Sequence, residues 1–179
     1  KYETYEPTIV ARLIQSFVVN KLSNWYIRLS RRRFWKGNFN KDKIAAYQTL
    51  HECLKKISII SSPISPFYMD QLYQNLTVSN HSVHLHKFPK FKNSHIDKVL
   101  ERRIDLAQDI TSLALSLRKK EGFRVRQPLQ KIMISILDKK RKEDVESVSA
   151  MLKNELNIKE ILFIPKNSNF LKLILSETV

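Results

Sequence analysis

PTIVARLIQSFVVNKLSNWYIRLSRRRFW, residues 7–35, decides the fold class of this chain. Its apolar residues Val10, Leu13, Ile14, Phe17, Val18, Leu22, Trp25, Tyr26 and Leu29 recur at spacings of three and four, which keeps them on one side of a helix. No glycine or proline interrupts the run after Pro7. A helix of roughly 28 residues would be about 42 Å long, more than an isolated motif requires. The stretch therefore predicts one member of an extended helical bundle.

The pattern continues on the C-terminal side. Gly37 ends the first helix, and Asn40 offers an N-cap for a second with core positions Ile44, Tyr47, Leu50, Leu54 and Ile57. Ser-Ser-Pro at 61–63 stops it. Ser65 and Pro66 start a third helix with Met69, Leu72, Tyr73 and Leu76 inward. Residues 77–93 read as an extended polar connection with Val83 and Leu85 facing the bundle. Ser94 with Asp97 three positions later forms a capping box. The helix it opens runs to about Lys120, buried through Ile96, Val99, Leu100, Ile104, Ala107, Ile110, Ala114 and Leu117, and Gly122 closes it.

After Pro128 the period changes. The runs 131–137, 158–164 and 170–175 have strand character, and Val145, Val148, Leu152 and Leu156 mark an amphipathic helix between the first two. The expected fold class is mainly α, a helical bundle over 1–122 followed by a small α+β unit over 123–179.

Composition narrows the function classes. Thirty-two Lys and Arg stand against 17 Asp and Glu among 179 residues, a net charge of +15, which favours an anionic partner: nucleic acid, or else a membrane surface. The excess is uneven: +8 over 1–60, +2 over 61–93, +6 over 94–141 and −1 over 142–179. That asymmetry places a basic surface on one part of the molecule and suggests a boundary near residue 122. Two glycines are too few for a Gly-rich nucleotide-binding fold. Cys53, the single cysteine, excludes an internal disulfide and a cysteine-based zinc site. No apolar run approaches the length of a membrane span. Lys1 at the start and the strand-like pattern at the end suggest a piece of a longer polypeptide.

The richest stretch for chemistry is KLSNWYIRLSRRRFWKG, 21–37. At about 100° per residue, Lys21, Asn24, Arg28, Arg31, Arg32 and Trp35 share one side and Leu22, Trp25, Tyr26 and Leu29 another, with Lys36 following. Phosphates explain clustered arginine and lysine, and a tryptophan beside them gives a base something to stack on. A solvated helix face with Trp35 buried at the bundle end is the alternative. Arg33 falls toward the apolar side, to snorkel or to pair with an acid. In RKKEGFRVRQPL, 118–129, the helix dipole accounts for Arg118, Lys119 and Lys120. Arg124 and Arg126 alternate with Phe123 and Val125, so an extended segment would project both arginines outward. KKRK at 139–142 reads as a solvated turn. His81, His84 and His86 lack a nearby carboxylate or cysteine to complete a metal site, and Cys53 with His51 makes no nucleophile pair. No catalytic motif is visible.

The ordered stretches NWYIRLSRRRFW (24–35), AAYQTL (45–50), SPFYMDQLYQNL (65–76), SVHLHKFP (82–89), VRQPL (125–129) and ELNIKEI (155–161) closely resemble the isoleucine-tRNA synthetase family over nearly the whole chain. The resemblance implies the helical anticodon-binding domain that follows the catalytic core, with a small α/β part after it. It further implies isoleucine tRNA as partner, the catalytic and editing domains of the same polypeptide as neighbours, no membrane, and a cytoplasmic location. Lys21, Asn24, Arg28, Arg31, Arg32, Trp35, Lys36, Arg124 and Arg126 are then the expected RNA-binding residues. The His-Ile-Gly-His and Lys-Met-Ser-Lys-Ser stretches of the core are absent, so ATP with magnesium, and any zinc, are expected in the parent enzyme and no cofactor in this chain. The valine enzyme shares the plan. A stand-alone basic helical protein binding RNA or a membrane surface is the reading from another class.

Overall fold

In a computed structural model of the chain, the structure describes residues 2–90, 93–135, 138–164 and 173–175. The chain divides into two compact units, Lys1–Lys92 and Asn93–Val179. The mainly α architecture with a small α+β part is as expected, but the division falls well before residue 122. The physical reason is the long helix α5 (Lys98–Lys120), which packs against the helices of the α+β part, α6 (Lys139–Ser147) and α7 (Ser149–Leu156).

The first unit opens with a helical run from Pro7 to Trp35 in three pieces: α1 (Pro7–Ser16), a π-helical segment (Phe17–Ile27) and α2 (Arg31–Trp35). The uniform α-winding expected from the spacing does not form. Instead the buried and half-buried side recurs every fourth residue, at Val10, Ile14, Val18, Leu22, Tyr26, Ser30 and Phe34. Gly37 then reverses the chain at φ +76°. Nothing lies within 4 Å of a Cβ placed there, so the left-handed conformation, and not space, demands glycine.

Helix α3 (Lys41–Ser61) is capped by Asn40, whose side chain accepts from the Lys43 amide at 2.8 Å. Its buried stripe runs through Lys43, Ala46, Ser58, Ile59 and Ser61, so Ile44 and Tyr47, expected in the core, are exposed. Helix α4 (Pro66–Thr77) starts with proline in its first turn, as expected, and buries Tyr73. Ile59, Tyr73 and Val83 form a core cluster. The 77–93 connection is not wholly extended: a 3-10 turn at Val83–Leu85 is pinned by the Asp70 carboxylate, which accepts from the Val83 amide at 2.7 Å and the Ser82 hydroxyl at 2.9 Å. Those bonds hold the Asp70 carboxyl below its ordinary range. The turn sends Val83 inward and leaves Leu85 79% exposed, against the expectation that both face the bundle.

In the second unit Asp97 itself is the N-cap of α5, accepting from the Val99 and Leu100 amides, while Ser94 lies in a preceding 3-10 turn. A capping box opened by Ser94 is therefore not what forms. At the other end the Phe123 amide donates to the Arg118 carbonyl at 2.8 Å and the Gly122 amide to the Lys119 carbonyl at 3.3 Å, with Gly122 at φ +74°. This is a Schellman closure, the expected role of Gly122. Strands β1 (Leu129–Ser135), β2 (Ile158–Ile164) and β3 (Leu173–Leu175) form a sheet in the order β2-β1-β3. β1 runs parallel to β2 and antiparallel to β3. A parallel neighbour needs a crossover, and α6 with α7 supplies it, burying Val145, Val148, Leu152 and Leu156 as the periodicity anticipated. The expected strand residues 136–137 and 170–172 lie outside the described residues. KKRK at 139–142 is not a turn but the opening of α6, with Asp138 as its N-cap.

Candidate nucleic-acid interface

The corner between α2 and α3 is built from the inside by aromatic rings. Phe34, 8% exposed, meets Tyr26 edge-on with ring centroids 6.4 Å apart and Tyr47 at 5.1 Å. The Tyr26 hydroxyl donates to the Ala46 carbonyl and the Tyr47 hydroxyl to the Phe34 carbonyl, each at 3.1 Å. Both phenols thus satisfy their polar ends on the neighbouring helix while their rings pack. Across the turn, Lys43 reaches back to the Gly37 carbonyl at 3.3 Å. Arg33 clamps Asp42 with a two-pronged ion pair, Nε and Nη2 to the two carboxylate oxygens at 2.8 and 2.7 Å. Of the two options left open by the sequence, Arg33 takes the acid. The Asp42 hydrogen bond raises the Arg33 pKa above its ordinary value.

On this frame Trp35 is 85% exposed, which removes the reading that buried it at the bundle end. Arg31, Arg32 and Lys36 beside it are exposed, as are Lys21, Asn24 and Arg28 on the preceding turns. Phe39 escapes a reading based on helix faces. It is 77% exposed, lies parallel to the Tyr47 ring at 6.3 Å, and has the Lys43 ammonium 5.1 Å from its centroid. Its signal was available: an aromatic between Asn38 and Asn40, in a polar turn with no helix face to bury it. The corner therefore presents two aromatic rings among guanidinium and ammonium groups, the combination that stacks bases and holds phosphates.

Arg124 and Arg126 lie in the second unit. They do not alternate along an extended segment, because the Gln127 amide bonds the Arg124 carbonyl at 3.0 Å and closes a tight turn over 124–127. Both arginines are exposed, but so is Val125. Arg118, which the helix dipole alone would explain, is 1% exposed and is a packing residue. Its Nη1 donates to the Arg124 and Gln127 carbonyls, each at 3.0 Å, and its Nη2 to Leu156 at 2.6 Å and Asn157 at 3.4 Å. Burial pushes its pKa down.

Elsewhere, His86 Nε2 lies 2.6 Å from the Tyr73 hydroxyl and His81 Nδ1 2.9 Å from the Ser79 hydroxyl. Among the described residues no three His, Cys, Asp or Glu side chains gather as a metal site. Burial raises the Cys53 thiol pKa, which disfavours a nucleophilic thiolate. No described helix is long and apolar enough to cross a membrane.

Comparison with known proteins identifies the family. Residues 1–134 match the family model described as the anticodon-binding domain of tRNA ligase. The chain is 50% identical over 168 residues to the isoleucine–tRNA ligase of Bacteroides thetaiotaomicron, covering 91% of this chain and 14% of that protein. The isoleucine–tRNA ligase of Cytophaga hutchinsonii is 49% identical over 172 residues, 93% of this chain and 16% of its own length. That of Thermoplasma acidophilum is 38% identical over 172 residues, 96% and 16% respectively. The chain thus spans about one-sixth or less of the length of these relatives.

Proposed function

The chain belongs to the family of anticodon-binding domains of tRNA ligases, and from that premise we propose that it is the segment of an isoleucine–tRNA ligase that grips the anticodon arm of isoleucine tRNA. The observation that carries the reading is the α2–α3 corner: Trp35, exposed beside Arg31, Arg32 and Lys36, on a turn fixed by the buried Phe34 ring with its aromatic neighbours and by the Arg33–Asp42 clamp. An anticodon loop offers splayed bases and closely spaced phosphates, and a rigid aromatic with cations around it matches both. Trp35 and Phe39 serve as stacking surfaces. Lys21, Asn24, Arg28, Arg31, Arg32 and Lys36 hold phosphates and sugars, and Arg124 with Arg126 supplies a second set of phosphate contacts. In this reading the catalytic and editing domains, with ATP, magnesium and any zinc, belong to the rest of a parent enzyme working in the cytoplasm. The identity of the relatives favours isoleucine over valine.

The test is a titration of the chain with isoleucine, valine and leucine tRNA at two salt concentrations. Binding that weakens steeply with salt, with a modest preference for isoleucine tRNA, is the expected result. Counterion release from neutralised phosphates gives the slope, whereas stacking alone is tolerant of base identity. Affinity that does not change with salt would overturn the reading.

A further inference from the structure

The turn over 124–127 is held from within by two residues. Arg118 takes the first and last carbonyls, Arg124 and Gln127. Asn157 takes the two between: its Nδ2 donates to Arg126 at 2.9 Å and to Val125 at 3.4 Å. Four consecutive carbonyls are thereby drawn toward one guanidinium and one carboxamide, and all four side chains of the turn are exposed. Arg118 arrives on the last turn of α5, fixed by the Schellman closure. Asn157 sits at φ +50°, the left-handed residue that ends α7, and its own carbonyl accepts from the Leu129 amide at 3.0 Å. The turn is thus tied at once to α5, to the end of α7 and to the start of β1.

This arrangement is costly for a merely connecting loop. A guanidinium nine-tenths buried or more, hydrogen-bonded to backbone carbonyls and with Nε unpaired among the described residues, is a demanding way to stabilise a turn. What it secures is a fixed backbone beneath two exposed arginines, and preorganised cations lose less freedom on binding a phosphate.

Resting on the reading of this chain as a tRNA-binding module, we propose that Arg118 and Asn157 are positioning residues that hold the 124–127 turn as a preformed two-arginine contact for the RNA phosphate backbone. Neither touches RNA. They act through Arg124 and Arg126.

Arg118→Ala would take a donor from four carbonyls, that of Leu156 buried among them, and risks unfolding, so Asn157→Gly is the informative variant. Glycine keeps the left-handed backbone and the Asn157 carbonyl and removes only the carboxamide. The full chain, the Asn157→Gly variant, the Arg124→Ala/Arg126→Ala variant and their combination are titrated with isoleucine tRNA at two salt concentrations, with thermal melts alongside. Asn157→Gly is expected to weaken binding roughly three- to tenfold, the scale of one or two hydrogen bonds removed, although it removes no charge. The arginine pair variant is expected to weaken binding and flatten the salt dependence. The combination is expected to be no weaker than the arginine pair variant alone, because there is nothing left to position. Unchanged affinity of Asn157→Gly overturns the proposal, and so does full additivity, which would mark a general loss of structure. An arginine pair variant that binds as well as the parent overturns it too and leaves the α2–α3 corner standing. A parent chain that fails to bind tRNA overturns this proposal and the proposed function together. Asn157→Asp, which keeps size and turn preference but cannot donate and adds one negative charge, should weaken binding at least as much as the glycine variant and is used if that variant melts early; parent-like binding by it counts against the proposal.

Discussion

Replacing Trp35 with alanine separates the stacking role from a packing role more cleanly than any other change in this chain. With 85% of Trp35 exposed, little apolar area is lost, and surface substitutions of this kind shift stability by within about 0.5 kcal/mol. The neighbouring frame is untouched, because the rings that hold the corner together are Tyr26, Phe34 and Tyr47. A base stacked on an aromatic ring is worth about 1–3 kcal/mol by alanine substitution, or roughly 5- to 150-fold in Kd. The variant should therefore melt with the parent while binding isoleucine tRNA far more weakly. Because no charge is removed, a plot of log affinity against log salt should drop without changing slope. Valine and leucine tRNA should lose by similar factors, since stacking accepts any base. Fluorescence anisotropy with labelled tRNA at several salt concentrations, beside a thermal melt, reads all of this. Unchanged affinity for every tRNA would refute the stacking assignment, and a large drop in melting temperature would show that Trp35 is a structural residue.

Arg31→Ala combined with Arg32→Ala should leave helicity by circular dichroism intact and reduce the salt slope by about 0.7 for each single-strand phosphate that is no longer neutralised; an unchanged slope would remove these arginines from the interface. Phe34→Ala, at the centre of the aromatic cluster, should cost about 3–5 kcal/mol in denaturant unfolding, and a cost below about 1 kcal/mol would show that the rings do not hold the corner. Asp144 accepts from Arg102 at 2.9 and 3.0 Å and from Arg103 at 3.1 Å, and the Arg102 hydrogen bonds lead in holding its pKa below the ordinary 3.8. With the folded value depressed, its stabilisation is present above 3.8 and lost as pH falls through the folded value. Unfolding midpoints of Asp144→Asn should accordingly depend less on pH in that acid range than those of the parent, and equal dependence would exclude the ion pair as the source.

Much of the fold was legible because helix punctuation is local chemistry. Asn40, Pro66 and Gly122 sit where their caps and turns were expected, and the apolar step of three and four from Val145 to Leu156 survives in α6 and α7. The readings that failed did so where a second candidate or a tertiary partner outweighed the preference first read from the sequence. Ser94 could cap, but Asp97, closer to the helix, takes the two amides. Arg118 looked like one more cation in a basic run. Its position, however, continues the buried series Ala107, Ile110, Thr111 and Ala114 at helical spacing, and that periodicity carried the correct answer against the charge. Arg33 was placed on the packed side by the same logic, and its acid partner Asp42 lies just beyond the turn. Phe39 shows the opposite case: helical periodicity is silent in a turn, so only its isolation among asparagines marked it.

The first helical run shows how winding and site are linked. In a uniform α-helix each step of four residues overshoots a full turn by about 40°, so six steps from Val10 to Phe34 would accumulate about 240° and set the two on different sides. The segment Phe17–Ile27 closes i→i+5 bonds, and its wider turn holds more than four residues. Each step of four falls short there and offsets the excess gathered in α1 and α2. The outcome is one inward stripe, Val10, Ile14, Val18, Leu22, Tyr26, Ser30 and Phe34, carried along the whole run. Phe34 thereby meets Tyr47 of α3, and Trp35, the next residue, is turned to solvent with Arg31 and Arg32. A face assigned at 100° per residue finds the same exposed residues, yet its register holds only within α2 and not across the π-helical turns before it. The exposure of the basic, tryptophan-bearing side is thus a property of the wider winding upstream as much as of the arginines themselves.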